Sequence, residues 1–120
     1  MRLRICVVMI LGLLAFAGCS EKGRSTDGLI VDLKSEHDEH RINAVRLLQH
    51  RKGDAPKVVP ALIDSLKDGE TDVRISAAIG LGYFGAQAKD AIPALEKAQS
   101  EDPDARVRNA AKVAISRIKG

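Results

Sequence analysis

One internal repeat governs what this chain can become. Leu29-Ile30-Val31-Asp32-Leu33-Lys34 returns 33 residues later as Leu62-Ile63-Asp64-Ser65-Leu66-Lys67, with four of six positions identical. Arg41-Ile42-Asn43-Ala44 returns at the same offset of 33 as Arg74-Ile75-Ser76-Ala77, and Pro60-Ala61-Leu62 as Pro93-Ala94-Leu95. Val73-Arg74 returns as Val107-Arg108 at 34, one residue having been added near Pro103. A fixed period of this length is the mark of a stacked array, in which no unit buries its apolar face alone.

Each unit carries two helical patterns and no strand-like alternation. First helices are expected over 28–35, 56–67 and 90–99, and second helices over 39–51, 72–84 and 103–119. Val73, Ala77, Leu81 and Phe84 fall in one narrow stripe at helical spacing, and Val107, Ala111, Ile115 and Ile118 repeat it. Asp54, Asp72, Asp90 and Asp102 stand where side-chain caps are expected. Pro60 and Pro93 are expected in first turns, where an amide has no helical partner to lose. Helices this short are marginal alone in water and must be held by packing. The expected fold class is therefore all-α, a short right-handed α-solenoid of about three helical hairpins over 28–120.

Ahead of the repeats, Arg2 and Arg4 precede an uncharged stretch over 5–17. At 13 residues it is shorter than the roughly 20 needed to span a bilayer and suits a signal-peptide core. Residues 1–18 read as a removable signal and 19–27, rich in polar residues, as a tether. Leu14-Ala15-Phe16-Ala17-Gly18-Cys19-Ser20 resembles the lipobox of bacterial lipoproteins, with Phe16 where that family usually has Leu. The resemblance implies acylation of Cys19 and a lipid bilayer as one partner. It also implies a place in the cell envelope, at the outer membrane facing the periplasm or the exterior. Cys6 leaves with the signal, so no disulfide partner remains for Cys19. Removing Arg2 and Arg4 leaves 17 basic against 16 acidic residues. That balance lacks the basic footprint of a nucleic-acid binder.

Ala91-Ile92-Pro93-Ala94-Leu95, together with Asp72-Val73-Arg74-Ile75-Ser76-Ala77-Ala78 running on to Gly80-Leu81-Gly82-Tyr83-Phe84-Gly85, resembles HEAT repeats. It is similar to the short bacterial type also seen in relatives of the phycobilisome lyases. The resemblance implies a protein partner bound along a curved face lined by second helices. No nucleophile arrangement stands out among the residues, and export would part the chain from the pigment on which the lyases act, so no catalysis and no cofactor are expected. The resemblance also implies that an acidic turn residue and a basic residue six later tie neighbouring units. Asp68 with Arg74 and Asp102 with Arg108 match, while the first unit has Ser35 before Arg41.

On the second helices Ile75, Ile79 and Tyr83 lie away from the core stripe. Their counterparts are Ile42, Arg46 and His50 in the first unit and Asn109, Val113 and Arg117 in the last. Ile42, Arg46, Ile75, Ile79, Tyr83 and Val113 form the candidate binding strip; packing of the isoleucines between units is the competing reading. Arg106, Lys112, Arg117 and Lys119 read as a solvated cap. Gly80-Leu81-Gly82-Tyr83-Phe84-Gly85 also spells a phosphate-loop pattern, but a nucleotide site needs a strand before it and a helix after it. Helix packing explains Gly80 and Gly82, and a C-terminal cap explains Gly85. His37, Glu39 and His40 raise one alternative, a small metal-dependent enzyme. A purely structural envelope lipoprotein is another. No small-molecule substrate is evident.

Overall fold

Leu81 on the fourth helix is wholly buried because the other helices gather around the segment that carries it. The computed structural model describes residues 23–120. The α-helices are α1 (Thr26–Asp32), α2 (Asp38–Leu48), α3 (Ala55–Ser65), α4 (Thr71–Phe84), α5 (Ile92–Glu101) and α6 (Ala105–Lys119). Short 3-10 segments run over Lys52–Asp54 and Gly85–Ala91, and no strand occurs among the described residues. The helices pair as three hairpins, α1–α2, α3–α4 and α5–α6. Helix α4 packs against α2 on one side and α6 on the other, with α3 beneath it.

Each helix supplies the core with a residue that water does not reach: Leu29, Leu48, Leu62, Leu81, Leu95 and Val107, in chain order. Each such side chain contributes roughly 1.5–3 kcal/mol by leaving water. Two glycines let the hairpins close on one another. A Cβ at Gly80 would stand 3.3 Å from Leu62 Cδ1 in the second hairpin and 3.6 Å from Val45 Cγ1 in the first. A Cβ at Gly82 would stand 3.2 Å from the backbone Cα of Ala114 in the third. Gly85 ends α4 at φ 56°, which favours glycine. The glycine motif is thus occupied by packing and chain reversal.

The ends of the helices differ from expectation for identifiable reasons. Helix α1 starts at Thr26, inside the expected tether, because the Ser25 hydroxyl accepts from the Gly28 amide at 3.1 Å. Asp54 precedes α3 but makes no side-chain cap; its carboxylate accepts from the Thr26 hydroxyl. Asp72 lies inside α4 and Asp90 inside a 3-10 segment. Asp102 ends α5, and Asp104 caps α6 by accepting from the Arg106 amide at 2.7 Å. Pro93 sits in the first turn of α5 as expected, whereas Pro60 sits inside α3, since that helix begins at Ala55 with Pro56 in its opening turn.

The ties between units run one unit further on than expected. Arg41 Nε and Nη2 donate to the two Asp68 carboxylate oxygens at 2.8 and 3.1 Å. Arg74 repeats this on Asp102 at 2.9 and 3.3 Å. The spacing of six is satisfied through the backbone instead. Arg74 Nη1 donates to the Asp68 carbonyl at 2.9 Å, Arg108 Nη1 to the Asp102 carbonyl at 2.7 Å, and Arg41 Nη1 to the Ser35 carbonyl at 2.8 Å. A carbonyl is present whatever the side chain, so Ser35 serves as well as an aspartate.

Candidate protein-binding groove

The second helices α2, α4 and α6 lie side by side, so residues one repeat apart form rows across them. One row is His50, Tyr83 and Arg117. The Tyr83 ring centroid lies 6.4 Å from that of His50, and the Arg117 guanidinium carbon lies 5.7 Å from it on the other side. The next row, one helical turn away, is Arg46, Ile79 and Val113. Tyr83, Ile79 and Val113 are 46, 42 and 43% exposed, among the largest apolar side chains left in contact with solvent.

Between α4 and α6 is an open hollow of about 420 Å³, lined by Ile75, Ile79, Tyr83, Val113 and Arg117 among others. Between α2 and α4 a smaller one of about 210 Å³ is lined by Arg46, Gln49, Ser76, Ile79 and Tyr83. The structure therefore brings Arg46, Ile75, Ile79, Tyr83 and Val113 onto one groove. Ile75 is half-buried in its wall and Ile79 stands free. Ile42 is half-buried and lines neither hollow.

Two arginines assigned by sequence to a solvated cap belong to this groove. Arg117 covers Tyr83, and Arg106 lines the larger hollow. Sequence spacing sets Arg117 opposite Tyr83 at an offset of 34; that Arg106 reaches the same hollow depends on how α6 packs against α4. Arg106 also donates to the Asp104 carboxylate at 3.0 Å, which holds that carboxyl below its ordinary range. The same pairing raises the Arg106 pKa.

The histidine cluster lies elsewhere. His37 and His40 meet edge to face at 5.2 Å at the start of α2, and His40 Nδ1 is 3.3 Å from the Ser35 hydroxyl. No group of three or more His, Cys, Asp or Glu side chains placed to hold a metal occurs among the described residues. No described helix is long and apolar enough to cross a membrane. Cys19, Phe16 and the rest of the signal lie outside the described residues.

Residues 26–116 match the family of HEAT repeats. This chain belongs to the HEAT-repeat family. The match spans all three hairpins and begins at the first residue of α1. Among solved structures, the chain is similar to one in the complex of CpcE and CpcF of phycocyanin lyase from Nostoc sp. PCC7120, at 29% identity and a TM-score of 0.71. The likeness covers 83% of this chain and 40% of that one, so this HEAT-repeat chain spans less than half of the protein it resembles. A search of the curated proteins finds no match.

Proposed function

We propose that this HEAT-repeat chain is a membrane-tethered, non-catalytic module that holds another protein along the groove of α2, α4 and α6. The observation that carries the reading is the exposure of Ile79, Tyr83 and Val113 on one continuous surface. Exposed apolar side chains gathered in one place, rather than scattered singly, are characteristic of interaction sites. The family supports a protein partner, and the matched structure is itself a complex of two proteins. The tether rests on the sequence around Cys19. Several acyl chains hold a protein firmly, at about 0.8 kcal/mol per buried methylene. In this reading the module works in the cell envelope, at the outer membrane facing the periplasm or the exterior.

A photo-crosslinking side chain at position 83 in living cells tests the groove, with position 112, on the outward face of α6, as the control. One protein captured from 83 and absent from 112 is expected; equal capture from both, or none, contradicts the groove. Replacing Cys19→Ser is expected to abolish incorporation of labelled palmitate and release the chain from membranes. Retention of both overturns the anchor.

A second reading is favoured by the likeness to phycocyanin lyase: the chain acts as one part of an enzyme assembled from two proteins. Catalytic turnover by the chain with its captured partner, lost on Tyr83→Ala without loss of the complex, would establish it over simple binding.

A further inference from the structure

The charge of the groove specifies its occupant. The two hollows on the second helices are lined by Arg46, Arg106 and Arg117 and by no carboxylate. The hollows on the first-helix side all carry acids, two of them with lysines as well: Glu101 and Asp102 with Lys67 and Lys97 in one, Asp64 and Asp68 with Lys34 in another, and Asp90 in a third. The mature chain is close to neutral in the reading above, so the positive lining is local. Arg106 is partly neutralised by Asp104 at 3.0 Å and by Asp72 at 3.7 Å. Arg46 and Arg117 make no ion pair among the described residues. They stand on α2 and α6, on either side of the apolar Ile79 and Tyr83 of α4, with Val113 one turn from Arg117 on α6. Two interhelix spacings separate α2 from α6, roughly 16–20 Å.

Resting on the proposed role of this groove, we infer that its occupant is an acidic amphipathic segment of a partner protein. Its apolar side chains cover Ile79, Tyr83 and Val113, and its carboxylates meet Arg46 and Arg117. An apolar floor between two unpaired cations selects against a basic or purely polar segment, because like charges would be desolvated against each other. The recessed floor between helices accepts a rod of side chains better than a flat layer of lipid headgroups. A carboxylate reaching Arg117 would meet a guanidinium already positioned over the Tyr83 ring, which lowers the ordering cost of the new pair.

Three labelled amphipathic peptides of about four helical turns, built from Leu with Glu, Leu with Gln and Leu with Lys, test this with the full chain. Fluorescence anisotropy is expected to rank them Glu over Gln over Lys, with the Glu peptide weakening as salt rises. The double variant Arg46→Glu with Arg117→Glu is expected to bind the Glu peptide about tenfold or more weakly. Circular dichroism and melting confirm that the variant is folded. Equal binding of the three peptides, binding of none, or an unchanged affinity in the variant overturns the acidic occupant. Charge-dependent binding to anionic phosphatidylglycerol vesicles without any preference among the peptides overturns it too, in favour of a membrane. Capture from position 83 that survives the double variant would retain the groove while removing the charge assignment. Loss of position-specific capture in the unmodified chain would remove the groove itself.

Discussion

The first-helix face and the second-helix face are built from the same repeats and yet present different chemistry. Between α3 and α5 is a hollow of about 290 Å³ whose apolar residues, Ile63, Leu66, Ala94 and Ala98, are flanked by Lys67, Lys97, Glu101 and Asp102. Leu66 is buried there, and the other three are half-buried. That rim carries both signs of charge, and Asp102 is already taken by Arg74. The groove between α4 and α6 leaves Ile79, Tyr83 and Val113 exposed under arginines alone. A hollow by itself therefore does not mark a site; exposure of large apolar groups under charge of one sign does.

Substitutions separate the two faces by what each contributes to stability and to binding. The largest loss is expected from Leu81→Ala, whose side chain lies in the core between the two faces. It should lower the free energy of unfolding by about 2–5 kcal/mol in urea denaturation, and both faces should melt together. A parent-like midpoint would place Leu81 outside the shared core.

Asp102→Ala comes next, at about 3 kcal/mol, because it strands an Arg74 whose side chain is only 12% exposed. It also removes the acceptor of the Asp104 amide at 2.9 Å. The exposed pair of Lys57 with Asp27, at 60 and 72% exposure, is the control. Its loss should cost under about 1 kcal/mol. Thermal melts that rank the two the other way would remove the arginine ladder from the account.

The ladder also shows how much the sequence disclosed. The period of 33, the helical hairpins, the core stripe and the glycine packing were all legible, since each depends on spacing along one chain. The partner of Arg41 was not, because the carboxylate it meets belongs to the next unit, 27 residues away. Among the expected aspartate caps, Asp102 misled for a related reason: it has the side chain of a cap but is held by Arg74 of the preceding unit. In the groove, helical angles placed Ile79, Tyr83 and Val113 on one side. They could not show that Arg117 crosses from α6 to lie on Tyr83, which requires the relative position of two helices.

Gly82→Val is expected to cost about 1–3 kcal/mol, because the new atoms meet the Ala114 backbone, which cannot turn aside. Gly80→Ala should be tolerated better than Gly82→Ala, since its nearest neighbour is the end of the Leu62 side chain. Equal melting temperatures for the two alanine variants would show that α4 and α6 can separate slightly at little cost.

The smallest effects belong to the faces themselves. Ile79→Ala and Val113→Ala, both at exposed positions, should each change stability by within about 0.5 kcal/mol, while removing the capture of the partner from position 83. Asp104 adds a slight dependence on acid. Its carboxyl is held below its ordinary 3.8 by Arg106, so its stabilising contribution is present above that value and fades as the pH falls further. Asp104→Asn should flatten that part of the stability profile in acid titrations followed by circular dichroism; an unchanged slope would remove Asp104 from it.

The comparison of the two faces is tested most directly by nuclear magnetic resonance of the full chain titrated with the Leu and Glu peptide. The amides of Ile75, Ile79, Tyr83, Asn109, Val113 and Arg117 are expected to shift, and those of Ile63, Ala94 and Ala98 to stay in place. Shifts confined to the first-helix face, or spread equally over both, would contradict a binding surface on the second helices.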